Sequence, residues 1–113
     1  MGGMVQTRNL ALELAAALQA RLRDRFGPRL ADVRMFGSRA RGSAHDESDV
    51  DILVLVQNLS RPEKNEVLDA ASELGMGAGV TVSALAMSTA EFERLRRLEA
   101  RIALDIDRDG IAP

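Results

Sequence analysis

Apolar residues recur at every fourth position near the start of the chain: Leu10, Leu14, Leu18 and Leu22 fall in line, while Arg21, Arg23 and Arg25 lie off it. That spacing predicts an amphipathic helix from about Met4 to Phe26. The Gly27-Pro28 pair breaks it, and "LADVRMF", Leu30 to Phe36, reads as a short strand. "GSRARGSAHDES" has no apolar periodicity and reads as a loop, with room for one helical turn after Ser38. "DVDILVLV", Asp49 to Val56, is apolar and β-branched almost throughout, the mark of a strand buried on both faces.

In "NLSRPEKNEVLDAASELG", Ser60 is placed to cap a second helix, with Pro62 and Glu63 in its first turn and Gly75 or Gly77 past its end. "GVTVSALAM", Gly79 to Met87, predicts a third strand. Ser88 or Thr89 caps a last helix expected to run to about Ile106, with Phe92, Leu95, Leu98 and Ile102 on one face. "RDGIAP" is left as a short edge strand or a tail. The expected fold class is α/β (α+β): a small mixed β-sheet of three to four strands with helices packed on it.

At 113 residues the chain is expected to form one domain spanning 1–113, and its 46% hydrophobic content supplies a modest core. No apolar run approaches the roughly 18 to 20 residues needed to cross a bilayer, so no membrane partner is expected. The start "MGGMVQTRNL" lacks the basic and apolar segments of a secretory signal, and cytoplasmic residence is the expectation. The absence of cysteine excludes disulfides, a thiol nucleophile and Cys-ligated metals, and agrees with that compartment. A lone histidine, His45, cannot build a multi-histidine site, so any metal must be a hard, oxygen-liganded cation such as Mg²⁺. Three Phe, no Tyr, no Trp and a net charge of -2 disfavour nucleic acid as a direct ligand. The Arg-rich "RLRDRF" and "ERLRRLEARIALDIDR" read as solvated helix faces with i,i+4 pairs.

The chemistry concentrates between residues 35 and 56. Residues two apart in a strand face the same way, so Asp49 and Asp51 should project their carboxylates side by side. Two like charges that close repel, and a bound cation relieves them. Gly37-Ser38, leaving the first strand, can offer backbone N-H groups and a hydroxyl to anionic oxygens, with Arg39 and Arg41 adding positive charge. Gly42 would let the loop turn back sharply towards the aspartates. Together these parts suit a nucleotide polyphosphate with its metal, and hence phosphoryl or nucleotidyl transfer.

"GSRARGSAHDESDVDILV" resembles the signature of the minimal nucleotidyltransferases of the DNA polymerase β-like nucleotidyltransferase superfamily. The likeness extends from the first helix to "EFERL" and the closing "DGI". It implies that Gly37 and Ser38 bind the triphosphate, that Asp49 and Asp51 are catalytic Mg²⁺ ligands, and that Arg41 and Gly42 support the nucleotide-binding loop. The implied donor is ATP or another NTP, with pyrophosphate as leaving group. Bacterial members of the family commonly act as antitoxins assembled with a HEPN-type toxin, some by transferring AMP to a toxin tyrosine.

One position departs from the family pattern. Its third carboxylate belongs on the following strand, and there "VSALAMSTAEFE" carries Ser83; no Asp or Glu lies between Glu73 and Glu91. Asp46, Glu47 or Glu73 can substitute only if the fold brings them close. The residues therefore leave two readings open: an adenylyltransferase acting on a partner protein, or a catalytically weakened antitoxin that neutralises its toxin by direct binding. Transfer to a small molecule such as an aminoglycoside is weaker, because it usually needs a further acceptor-binding domain.

Overall fold

A computed structural model describes residues 3–37 and 49–113. Helix α1 spans Gly3–Phe26, and a short 3-10 turn, Gly27–Arg29, carries the chain into strand β1, Leu30–Phe36. Strand β2, Val50–Val56, follows, then helix α2, Arg61–Ala78, and strand β3, Val82–Met87. Helices α3, Thr89–Arg97, and α4, Arg101–Asp109, close the chain. The sheet order is β1-β2-β3, with β1 antiparallel and β3 parallel to the central β2. Ile111 adds a single antiparallel bridge to Met35, closed by N-H to carbonyl bonds of 2.9 and 2.8 Å. The edge strand allowed for at "RDGIAP" thus amounts to one residue pair.

Strand alternation divides the core in two. Val50, Ile52, Val54 and Val56 face one side, where they meet Leu14, Leu18 and Leu22 of α1 and Val67, Ala70 and Ala71 of α2. Leu53 and Leu55 face the other and pack with Met87, Phe92, Ala103 and Ile106. The expectation that β2 is buried on both faces is met along all of it except Asp51. Its continuous apolar run is the consequence of helices on both sides.

Helix α2 begins with a reciprocal cap: Glu63 N-H donates to Ser60 Oγ at 3.2 Å, and Ser60 N-H donates to Glu63 Oε1 at 3.0 Å. Glu63 also receives Nη1 and Nη2 of Arg29 at 2.8 and 2.9 Å, while Arg29 Nε reaches the Gln57 carbonyl at 3.1 Å. The cap is thereby tied to the turn before β1. Ser60→Ala should cost about 1 kcal/mol in urea unfolding, within the ~0.5–2 kcal/mol usual for such caps; an unchanged midpoint would show the cap to be dispensable.

The Arg29 bonds, reinforced by the Ser60 N-H, hold the Glu63 carboxyl at about 2, well below its ordinary 4.5. A carboxylate depressed on folding contributes stability that is complete above the unfolded value and disappears as pH falls through the folded one. The advantage of the native chain over Glu63→Gln should therefore persist at pH 5 and shrink from about pH 4.5 towards 2. Denaturant titrations at several pH values would measure it. A pH-independent gap would exclude this origin.

Three expectations are corrected. Helix α2 runs through Gly75 and Gly77 and ends at Gly79, whose φ of 73° is the left-handed conformation of a glycine C-cap. Gly75 instead serves packing: a Cβ there would lie 2.6 Å from the Val80 carbonyl oxygen as the chain turns back into β3. That turn also shortens the third strand, which starts at Val82 rather than Gly79. The single last helix is two. The chain reverses at Leu98 to Ala100, with Glu99 at φ 54°, and the Ala100 N-H bonds back to the Leu95 carbonyl. Phe92 is buried and Leu95 partly so, but Leu98 and Ile102 of the expected face are 65% and 37% exposed. Ala103 and Ile106 are buried instead, and the Arg96 fork on Asp107, at 2.7 and 2.9 Å, joins the two helices.

The arginine-rich helices are solvated, as expected, and their arginines pair both across helices and within them, the latter at i,i+3 in Arg108 with Asp105 at 3.1 Å. Arg25 pairs with Glu66 at 3.0 Å, whereas the i,i+4 pair Arg101 to Asp105 is at 3.9 Å.

Candidate active site

Strand β1 ends at Phe36, and Gly37 follows with φ 78°, a left-handed conformation that glycine adopts without steric cost. Phe36 is the cross-strand partner of Asp51. The glycine therefore sits directly over the aspartate, and a Cβ at 37 would lie 2.5 Å from Asp51 Oδ2. Backbone conformation and close approach both require glycine here. Residues far apart in sequence are brought into contact by the antiparallel register.

Asp49 is exposed just before β2, and Asp51 is partly buried within it. Val50 N-H donates to the Thr81 carbonyl at 2.9 Å, which fastens the Asp49-Asp51 segment to the start of the parallel pairing. Burial first, and the neighbouring charge of Asp49 second, push the Asp51 carboxyl above the ordinary carboxylate range. The charge of Asp49 thus acts on Asp51. Both are hard oxygen donors, and a divalent cation between them would relieve the repulsion and offset the burial cost of Asp51, so the pair suits Mg²⁺. Among the described residues no cluster of three or more His, Asp or Glu is positioned for a metal.

On the β3 side, the register partner of Asp51 is Ser83, which is exposed. Glu73 cannot replace a third carboxylate: it lies on α2, which packs on the opposite side of the sheet, and pairs with Arg21 of α1 at 2.5 Å. Ser38, Arg41 and Gly42, together with His45, Asp46 and Glu47, lie outside the described residues.

One feature of the site has no signature in the motif. Beside Asp51 and Ser83 opens a groove of about 430 Å³, walled by Phe36, Leu85, Leu95 and Ile102. In the sequence these read simply as core positions. Leu95 and Ile102 come from either side of the break between α3 and α4, and Phe36 and Leu85 from the strands, so no single stretch of sequence marks the cleft.

The nucleotidyltransferase domain family matches residues 16–106 of the chain. MJ1305 of Methanocaldococcus jannaschii, a candidate protein adenylyltransferase, is 39% identical over 64 residues, covering 54% of this chain and 44% of that protein. The chain spans about half the length of the curated relatives it matches. The solved structure of a candidate minimal nucleotidyltransferase superposes with a TM-score of 0.60 at 28% identity, covering 91% of this chain and 95% of that one. A toxin-antitoxin crystallised with AMP-PNP shares the fold, with a TM-score of 0.57 at 22% identity over 85% of this chain and 69% of that chain.

Proposed function

Because the chain belongs to the nucleotidyltransferase domain family, we propose that it is a Mg²⁺-dependent adenylyltransferase, moving AMP from ATP to a tyrosine hydroxyl of a HEPN-type toxin and so acting as its antitoxin. The observation that carries this reading is the close approach of Gly37 to Asp51, which sets the first residue of the proposed phosphate-binding loop beside one of the two proposed metal ligands. Gly37 and Ser38 would receive the triphosphate, with Arg41 and Gly42 supporting the loop. Asp49 and Asp51 would hold the cation. A bound Mg²⁺ supplies charge neutralisation and orientation of the phosphate oxygens. The likeness to a candidate protein adenylyltransferase and to a toxin-antitoxin supports the choice of a protein acceptor.

Titration calorimetry should show ATP binding that requires Mg²⁺, and the co-expressed toxin should gain the mass of one or more adenylyl groups. No gain of mass on a toxin that the chain demonstrably protects against would defeat the enzymatic reading for that partner.

Ser83 opposite Asp51 favours a second reading, in which the chain neutralises its toxin by binding alone. That reading expects a stable complex without nucleotide, and protection that survives Asp49→Asn. If Asp49→Asn abolishes protection while the complex persists, binding alone is rejected.

A further inference from the structure

The parallel register places the Ser83 hydroxyl on the strand immediately beside Asp51. Residues 51, 53 and 55 of β2 and 83, 85 and 87 of β3 are paired in that register, and Leu53, Leu55, Leu85 and Met87 all contribute to the core under α3 and α4. Ser83 therefore opens onto the same side of the sheet as the carboxylate. It is exposed, and no hydrogen bond to another described residue occupies its hydroxyl. The groove that begins at Asp51 and Ser83 continues over Phe36, Leu85 and Leu95. Its volume of about 430 Å³ falls within the roughly 300–1,000 Å³ of small-molecule sites. An apolar cleft of that size, polar only at the end where the carboxylate and hydroxyl stand, suits a nucleoside whose phosphate would be held at that end through a cation on Asp51.

We propose that Ser83 is itself an adenylyl acceptor, so that the chain modifies its own active-site strand when ATP is bound and no external hydroxyl is in place. The inference rests on the nucleotidyltransferase reading and adds to it a named acceptor. Ser83 Oγ forms a bond to the α-phosphorus of ATP. The bond from that phosphorus to the bridging oxygen of the β-phosphate breaks, and pyrophosphate leaves with the electron pair. The hydroxyl proton passes to water at the open end of the groove. The product is a phosphodiester between Ser83 and AMP, with no change of oxidation state.

A tethered hydroxyl needs no second encounter, which favours this transfer over attack by a hydroxyl in solution. Serine is a weak nucleophile at neutral pH without a base to take its proton, and the two neighbouring carboxylates oppose an alkoxide. The self-transfer is therefore slow and stops at one adenylyl group per chain. Once made, that group lies along the groove next to Asp51 and competes with the next nucleotide.

The test incubates the purified full chain with ATP and Mg²⁺ and follows intact mass, peptide fragmentation and Mg-ATP affinity by calorimetry. Expected are a gain of one adenylyl group on the peptide containing Ser83 and, in the modified protein, Mg-ATP affinity lowered by about tenfold or more, equivalent to about 1.4 kcal/mol. Ser83→Ala should fold and bind Mg-ATP but gain no mass, while Ser83→Thr, which keeps a hydroxyl, should regain part of the labelling. If the native chain binds Mg-ATP and labels an external acceptor while Ser83 stays unmodified, this inference is overturned and the nucleotidyltransferase reading stands. Labelling that persists in Ser83→Ala overturns it equally. If Mg-ATP does not bind at all, both fall together.

Discussion

Asp51→Asn should lower the proposed adenylyl transfer by about 10³-fold or more, equivalent to about 4 kcal/mol, because it removes charge from the position proposed to hold the cation. The same substitution should leave the melting temperature unchanged or raise it. The Asp51 carboxyl is pushed up by burial and then by Asp49, so its ionised form opposes folding at neutral pH. For an acid raised on folding, that penalty is present above the folded value and vanishes below the unfolded one, so any thermal advantage of Asn belongs to neutral pH and fades on acidification. Mg²⁺ should stabilise the native chain against heat and leave the Asn variant unmoved. Parallel rate and thermal-shift measurements check both halves. Transfer at the native rate in Asp51→Asn would remove this residue from the chemistry.

The second large effect is expected at Gly37. An alanine there meets two obstacles: a φ of 78°, which costs a residue with a Cβ about 1–2 kcal/mol, and a contact of 2.5 Å with Asp51 Oδ2. The carboxylate must move, and displacement of a reacting group by an ångström costs about 100-fold in rate. Gly27 provides the control. Its φ is 59°, but nothing lies within 4 Å of a Cβ built on it. Gly27→Ala should therefore lose about 1–2 kcal/mol of stability with its Mg-ATP affinity intact, whereas Gly37→Ala should lose both. Equal affinity in the two variants would show that the contact with Asp51 has no part in binding.

Most of this architecture was open to reading from local signals. The fourfold leucine spacing marked α1, the Gly27-Pro28 break marked its end, and the β-branched run marked β2, because in each case the local preference and the tertiary environment agree. The elements misjudged are those where they part. Gly75 reads as a helix end, yet it lies within the helix and is glycine because the chain returning through Val80 to Val82 leaves no room for a side chain. No glycine or proline marks the break at Leu98 to Ala100; it exists because the chain turns there to lay Ala103 and Ile106 on Leu53 and Leu55. The groove beside Asp51 takes its lining from both sides of that break and from three strands, and was equally hidden. At the site, the Asp-x-Asp pair was legible from strand alternation, and the parallel register sets Ser83 beside Asp51. The contact of Gly37 with Asp51 depends on how β1 and β2 align across the intervening loop, which periodicity cannot specify.

The bridge between Ile111 and Met35 bears on how the sheet meets other chains. An unpaired strand margin is a template on which another extended segment can add. Ile111 takes both outward hydrogen-bonding groups of Met35, next to the end of β1, and so closes the β1 margin at the end that leads into Gly37. Among the described residues, β3 has no strand on its outer side. Enlargement of the sheet by a visiting strand is thus directed to the β3 margin, where it would run beside Ser83 and the mouth of the groove, and away from the end of the strand that leads into Gly37.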